Sequence, residues 1–276
     1  MSLVPFPGAS PKDDPPAHPA RLEDPFDPAD ELEEPEGKMS FLEHLDELRK
    51  RILISVGALI VGFLVALLFI DQIFAFIMEP LQTPLNGGQL IYTEPTEAFM
   101  LYMKMAALAG LLMAAPIVIW QVWLFVAPGL YAHEKRYAIP FVLFATVFFI
   151  SGALFSHYMV FPWAWRFFAS FSEGKDFLVF TPKIAPAFAL YVKMMLAFGL
   201  IFQMPTLVFF LARMGLVTAG FLIRHTKYAI LIIFIVAAVL TPGPDVVSQS
   251  LMAGPMFALY LISIGIAWLF QRKKKA

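Results

Sequence analysis

Ile52-Leu53-Ile54-Ser55-Val56-Gly57-Ala58-Leu59-Ile60-Val61-Gly62-Phe63-Leu64-Val65-Ala66-Leu67-Leu68-Phe69-Ile70 runs for nineteen residues without a charge. At 1.5 Å per residue a helix of this length covers about 28 Å, close to the ~30 Å of hydrocarbon in a bilayer. The stretch reads as a membrane span. Five more apolar runs follow it. Residues 98–120 are interrupted only by Lys104, 137–165 only by His157 and 184–212 only by Lys193. Residues 228–241 are shorter, and 248–271 close the set. The sequence therefore predicts an all-α, polytopic membrane protein with six transmembrane helices.

Composition agrees with that reading. The chain is 59% hydrophobic and 15% charged, against roughly 25% charged in ordinary soluble domains. Cysteine is absent, which excludes disulfides, thiolate zinc sites and cysteine nucleophiles. The net charge of -1 hides an uneven distribution. Residues 1–38 carry ten Asp/Glu, three Lys/Arg and nine prolines, whereas the rest carries seventeen Lys/Arg and eleven Asp/Glu. Three regions follow: an acidic, Pro-rich tail at 1–38 that is expected to be disordered, a membrane domain at 39–270, and a basic tail at 271–276. The first region has neither the basic start nor the apolar stretch of a secretory signal peptide.

Ser40-Phe41-Leu42-Glu43 has the spacing of a capping box. Phe41, Leu45, Leu48 and Ile52 then recur at helical spacing, which predicts a short amphipathic helix at the membrane surface leading into the first span. Lys and Arg set the orientation. Twelve of them (Arg49, Lys50, Arg51, Lys135, Arg136, Arg213, Arg224, Lys227 and 272–275) fall on one side. Three (Arg166, Lys175, Lys183) fall on the other. Both termini are expected inside. Pro116, Pro140, Pro162, Pro205 and Pro255 fall within the runs and are expected to kink their helices, giving a curved wall with a concave groove. The fifth run reaches only about 21 Å before Thr241-Pro242-Gly243-Pro244-Asp245. Spans five and six are therefore expected to form a short pair over locally thin membrane.

Catalytic signatures are missing: His18, His44, His133, His157 and His225 are scattered, with no His-Glu-x-x-His pair, Gly-x-Ser-x-Gly turn or phosphate loop. No enzyme activity, metal, cofactor or nucleic-acid partner is expected. Lys104 and Lys193 lie close enough to a span end for their stems to reach the interface, or could serve a polar groove. Gln203, beside Met204-Pro205, either satisfies backbone freed by the proline or contacts a partner helix. Glu47 either pairs with Arg51 four residues on or binds something else. Glu134 either favours a helix start or does likewise.

The segment Phe41-Leu42-Glu43-His44-Leu45-Asp46-Glu47-Leu48-Arg49-Lys50-Arg51 resembles the opening signature of the TatC family. Residues 121–131, Gln-Val-Trp-Leu-Phe-Val-Ala-Pro-Gly-Leu-Tyr, with His133-Glu134-Lys135-Arg136, are similar to its first cytoplasmic loop. Thr241-Pro242, Asp245 and Ser248-Gln249 are similar to its last periplasmic turn. The resemblance implies a receptor for twin-arginine signal peptides in the bacterial cytoplasmic (inner) membrane. It implies TatA- and TatB-type single-span partners, several copies of the chain in a hetero-oligomeric complex, and export of folded cargo by the proton-motive force. It also implies that Glu47 and Glu134 receive the signal peptide's arginines, with Arg49 and Phe125 lining the same region, and that Gln203 is a partner-helix contact. The family often has Glu where Gln203 stands; an amide can hydrogen-bond there but carries no charge or proton. An ion-coupled small-solute transporter is the alternative. It would show inverted repeats and midplane binding groups, and the two halves of the chain show no such similarity.

Overall fold

The computed structural model describes residues 41–83, 89–126, 138–172, 174–175, 179–241, 243 and 245–270. The acidic tail at 1–38, Ser40 of the expected capping box and the basic tail at 271–276 lie outside these residues.

The opening apolar run belongs to a longer helix than expected. α1 spans Phe41–Leu68 without a break, so the amphipathic segment and the first span are one helix and not a surface helix followed by a span. No proline interrupts residues 41–68, and nothing in the backbone forces a turn between the polar and apolar parts. α1 is peripheral, and Leu53, Val61 and Leu64 point outward. Such exposure of large apolar groups fits contact with lipid.

α2, Ile70–Gln82, falls where no helix was expected. Ile70, Ile73, Phe74, Ile77, Met78 and Leu81 repeat at three- and four-residue spacing, so one face is apolar. Ile77, Met78 and Leu81 are buried. The indole of Trp165 donates to the Leu81 carbonyl at 3.0 Å and pins the end of this helix.

α3 spans Pro95–Val126 and packs closely on α1 where Gly62 meets Gly110. A Cβ on Gly62 would stand 2.5 Å from the Gly110 carbonyl oxygen, and one on Gly110 would stand 2.5 Å from the Phe63 amide nitrogen. Two small residues let two backbones touch, a common solution for helices in lipid.

α4 (Ala138–Phe155), a π turn (Ser156–Val160) and α5 (Phe161–Ser170) follow in succession. Pro162 cannot donate to the Tyr158 carbonyl, and the wide turn lies just before it. His157 is buried in that turn. Its Nδ1 shares a hydrogen bond of 2.8 Å with the Tyr191 hydroxyl, and its ring stacks on Phe76 of α2.

α6 (Ile184–Ile201) and α7 (Gln203–Arg213) are separated at Phe202. Pro205 explains the break, since it has no amide hydrogen for the Ile201 carbonyl. The other prolines behave differently. Pro116 and Pro255 lie inside continuous helices, and Pro140 sits in the first turn of α4, where the missing donor is least felt.

α8 (Ala219–Arg224) leads to α9 (Thr226–Leu240) and α10 (Val246–Phe270). α9 is fifteen residues long, about 23 Å, and is short as expected. α10 is not. Its twenty-five residues cover about 37 Å, enough to cross, so the expectation of a short span six is wrong. The reason is local: Asp245 caps α10 at once. Its Oδ1 accepts from the Ser248 amide at 2.7 Å and its Oδ2 from the Ser248 hydroxyl at 2.5 Å, so the turn shortens α9 alone.

Among the described residues, five stretches are long and apolar enough to cross a membrane: Leu42–Leu68, Pro95–Phe125, Ile139–Ser170, Ile184–Arg213 and Val246–Phe270. α9 is the shorter sixth apolar helix. The main core gathers around α6, where Phe188, Tyr191, Met194 and Phe198 are almost fully buried with Met105, Phe161, Trp165, Met252 and Met256. Met fills irregular gaps between crossing helices.

Candidate functional site

The start of α1 meets the end of α3. The α1–α3 crossing at Gly62 and Gly110 brings these two ends side by side, and the contacts there are polar and aromatic. Arg51 sits one helical turn after Glu47, and its Nη2 donates to Glu47 Oε1 at 3.0 Å. Its Nη1 donates to Gln121 Oε1 on α3 at 3.3 Å. Both charged side chains are mostly enclosed, with relative exposures of 16% for Glu47 and 22% for Arg51. Gln121 is 7% exposed.

This network is incomplete. Glu47 Oε2, Arg51 Nε and the Trp123 indole nitrogen are buried and have no hydrogen-bond partner among the described residues. Buried polar groups are normally paired, and those left open mark either strain or a place for a ligand. Here Arg51 holds one carboxylate oxygen in place while the other accepts no hydrogen bond from the described residues. A guanidinium or amide donor arriving there would meet an oriented charge.

Beside the network, His44 stacks on Phe125 with centroids 4.4 Å apart. Trp123 packs on Phe141 at 4.4 Å and on Phe210 at 5.1 Å, which ties the end of α7 and the start of α4 to the same region. The structure thus brings Glu47 and Phe125 to one end of the helix pair. Arg49 is exposed and stands two positions from Glu47, about 200° round the helix. Glu134 lies outside the described residues, in the segment 127–137 that follows α3. Sequence reasoning missed Gln121 as a partner of Arg51, and no local signal marks a pairing across 70 positions.

Gln203 lies elsewhere. Its amide nitrogen donates to the Ala145 carbonyl of α4 at 2.7 Å, a bond between helices of this chain. Lys193 donates to the Val239 carbonyl near the end of α9, one of the carbonyls that a helix end leaves without an internal partner.

These features define a class: a multi-pass helical membrane protein with an open carboxylate at one end of two touching helices. Residues 43–255 match the model of the Sec-independent protein translocase protein (TatC) family, and the chain belongs to that family. It is 42% identical to a Sec-independent protein translocase protein TatC of Koribacter versatilis, across 86% of this chain and 88% of that protein. It is 43% identical to one of Helicobacter pylori strain J99, across 81% of this chain and 87% of that protein. A crystal structure of the twin arginine translocase receptor TatC is similar with a TM-score of 0.73 and 34% identity, covering 83% of this chain and all of that one. The chain is thus a subunit of a protein translocase and not an enzyme, and the small-solute transporter reading falls away.

Proposed function

We propose that this chain docks twin-arginine signal peptides on Glu47. The observation that carries the reading is the buried Oε2 of a carboxylate, without a partner among the described residues, whose other oxygen is held by Arg51. A guanidinium is always charged and presents a planar fork that matches a carboxylate, which a lysine ammonium cannot reproduce. Glu134 supplies the second carboxylate for the paired arginine, Phe125 an apolar wall and Arg49 a charge at the rim. The similarity to a solved twin arginine translocase receptor supports this assignment.

The membrane arrangement follows from the same reading. α9 completes six spans, both termini are cytoplasmic, and the protein sits in the bacterial cytoplasmic membrane. The uneven placement of Lys and Arg supports that orientation. The breaks at Ser156–Val160 and Phe202 support a bent wall with a concave groove. TatA- and TatB-type single-span proteins and further copies of this chain assemble on it, with Gln203 as a contact for a partner helix, and the proton-motive force drives export of folded cargo.

The test is crosslinking of a twin-arginine signal peptide to the purified complex. Glu47→Gln and Glu134→Gln should each weaken it strongly. If both leave the yield at the wild-type level, the docking site has been misplaced.

A further inference from the structure

α3 and α6 begin at the same end of the membrane unit. The Ile91 amide donates to the Pro182 carbonyl and the Ile184 amide to the Ile91 carbonyl, so the approach to α3 is tied to the first residue of α6. Lys104 lies nine residues after Pro95, the first residue of α3, and Lys193 nine residues after Ile184. Both lysines therefore leave their helices about 14 Å from the start, at one level. They line a cleft of about 470 Å³ between the two helices, together with Leu108, Leu111, Phe188 and Leu196.

Two ammonium groups at one depth in a lipid-facing cleft are costly unless an anion meets them. Lys193 satisfies one donor on the Val239 carbonyl. Lys104 is exposed and has no hydrogen-bond or ion-pair partner among the described residues. No carboxylate lines the cleft among those residues. The Lys193–Val239 contact also places the end of the short α9 within reach of the Lys193 side chain, so the headgroup plane of a bilayer adapting to α9 drops towards the cleft.

We propose that the cleft binds one anionic phospholipid, its phosphate between Lys104 and Lys193 and its acyl chains along Leu108, Leu111 and Leu196. The charge pattern favours this occupant. A phosphodiester satisfies two cations at once, and the leucines lie further along both helices, on the side where a lipid tail must run. The site is at the opposite end of α3 from Glu47 and does not depend on signal-peptide docking.

Native mass spectrometry of the full chain, mixed with equal amounts of phosphatidylglycerol and phosphatidylethanolamine, reads the selectivity directly. The wild-type protein should retain one phosphatidylglycerol in preference. Lys104→Gln should lower that preference about fivefold, the effect of one cation near an anionic headgroup, and Lys104→Arg should keep it. Lys104 makes no bond to the described residues that its replacement would break, so this variant should elute and melt like the wild type. Lys193→Gln also removes the donor to α9 and serves as the second arm. Equal retention of the two lipids, or full preference in Lys104→Gln, overturns the proposal. So does displacement of the lipid by inorganic phosphate alone, which would leave only an ion site. Displacement by a single-span peptide carrying a glutamate would assign the cleft to a protein partner and overturn it as well.

Discussion

Gly62→Ala adds one methyl group at the point where α1 and α3 touch. The new carbon would lie 2.5 Å from the Gly110 carbonyl oxygen, where ordinary contact begins at 3.4 Å. The obstruction is backbone, so no side chain can turn aside and the helices must part by about 1 Å. Overpacking of this kind costs about 2 kcal/mol, a fall in melting temperature of roughly 4–8 °C for a protein of this size. The displacement also reaches the polar end. Arg51 Nη1 and Gln121 Oε1 are already 3.3 Å apart, and a further ~1 Å takes them beyond hydrogen-bonding range. Glu47 would then be held by a less constrained arginine, and peptide crosslinking should fall along with stability. Gly57 is the control, because a Cβ there meets nothing within 4 Å. Gly57→Ala should be neutral or slightly stabilising, since Ala suits a helix better than Gly by up to ~1 kcal/mol. Thermal melting in detergent and crosslinking of a twin-arginine peptide measure the two effects. A Gly62→Ala protein that matches Gly57→Ala in both assays would refute the coupling between the glycine crossing and the site.

Further consequences concern the site, the groove and the turn. Arg51→Met leaves both Glu47 oxygens without the guanidinium, and peptide affinity should fall about tenfold, roughly the effect of one charge-assisted hydrogen bond; titration with labelled peptide measures it. Gln203→Leu removes the bond to the Ala145 carbonyl and should cost about 0.6 kcal/mol in a melting experiment, since hydrogen bonds between helices in lipid are weak. Extending α9 by one apolar turn should impair export while leaving insertion intact, as read by cargo transport and membrane fractionation. The Ser248 hydroxyl and amide hold the Asp245 carboxyl below the usual carboxylate range. A lowered folded value means that this cap contributes fully above the unfolded carboxylate range and is lost as pH falls through the folded value. Protection against hydrogen exchange at the start of α10, taken relative to the intrinsic rate at each pH, should therefore fall in acid, and Asp245→Asn should remove that dependence.

The lengths of the apolar runs were readable because each is a property of one contiguous segment. The π turn before Pro162 and the break before Pro205 sit where proline lacks a donor, which is equally local, although Pro116 and Pro255 stay inside continuous helices. α2 carries a legible signal in Ile70, Ile73, Phe74, Ile77, Met78 and Leu81, but at thirteen residues it is too short to stand out by the run length that marks a span. The start of the last span is signalled as locally: Asp245 followed three residues later by Ser248 is a helix-start pattern, and it means that α10 begins as soon as the prolines end.

The candidate site divides along the same line. The Glu47–Arg51 pair was visible as an i,i+4 spacing. What turns it into a site is Gln121, 70 positions away, and Phe125 stacked on His44. Neither contact exists until α1 and α3 are known to be neighbours, and no run length or charge pattern says which spans touch. The decisive residues for that are Gly62 and Gly110, two glycines among sixteen. Taken singly, each reads as a minor cost in helix propensity; paired, they allow the backbone contact that brings a carboxylate, a guanidinium and an amide to one end of the membrane.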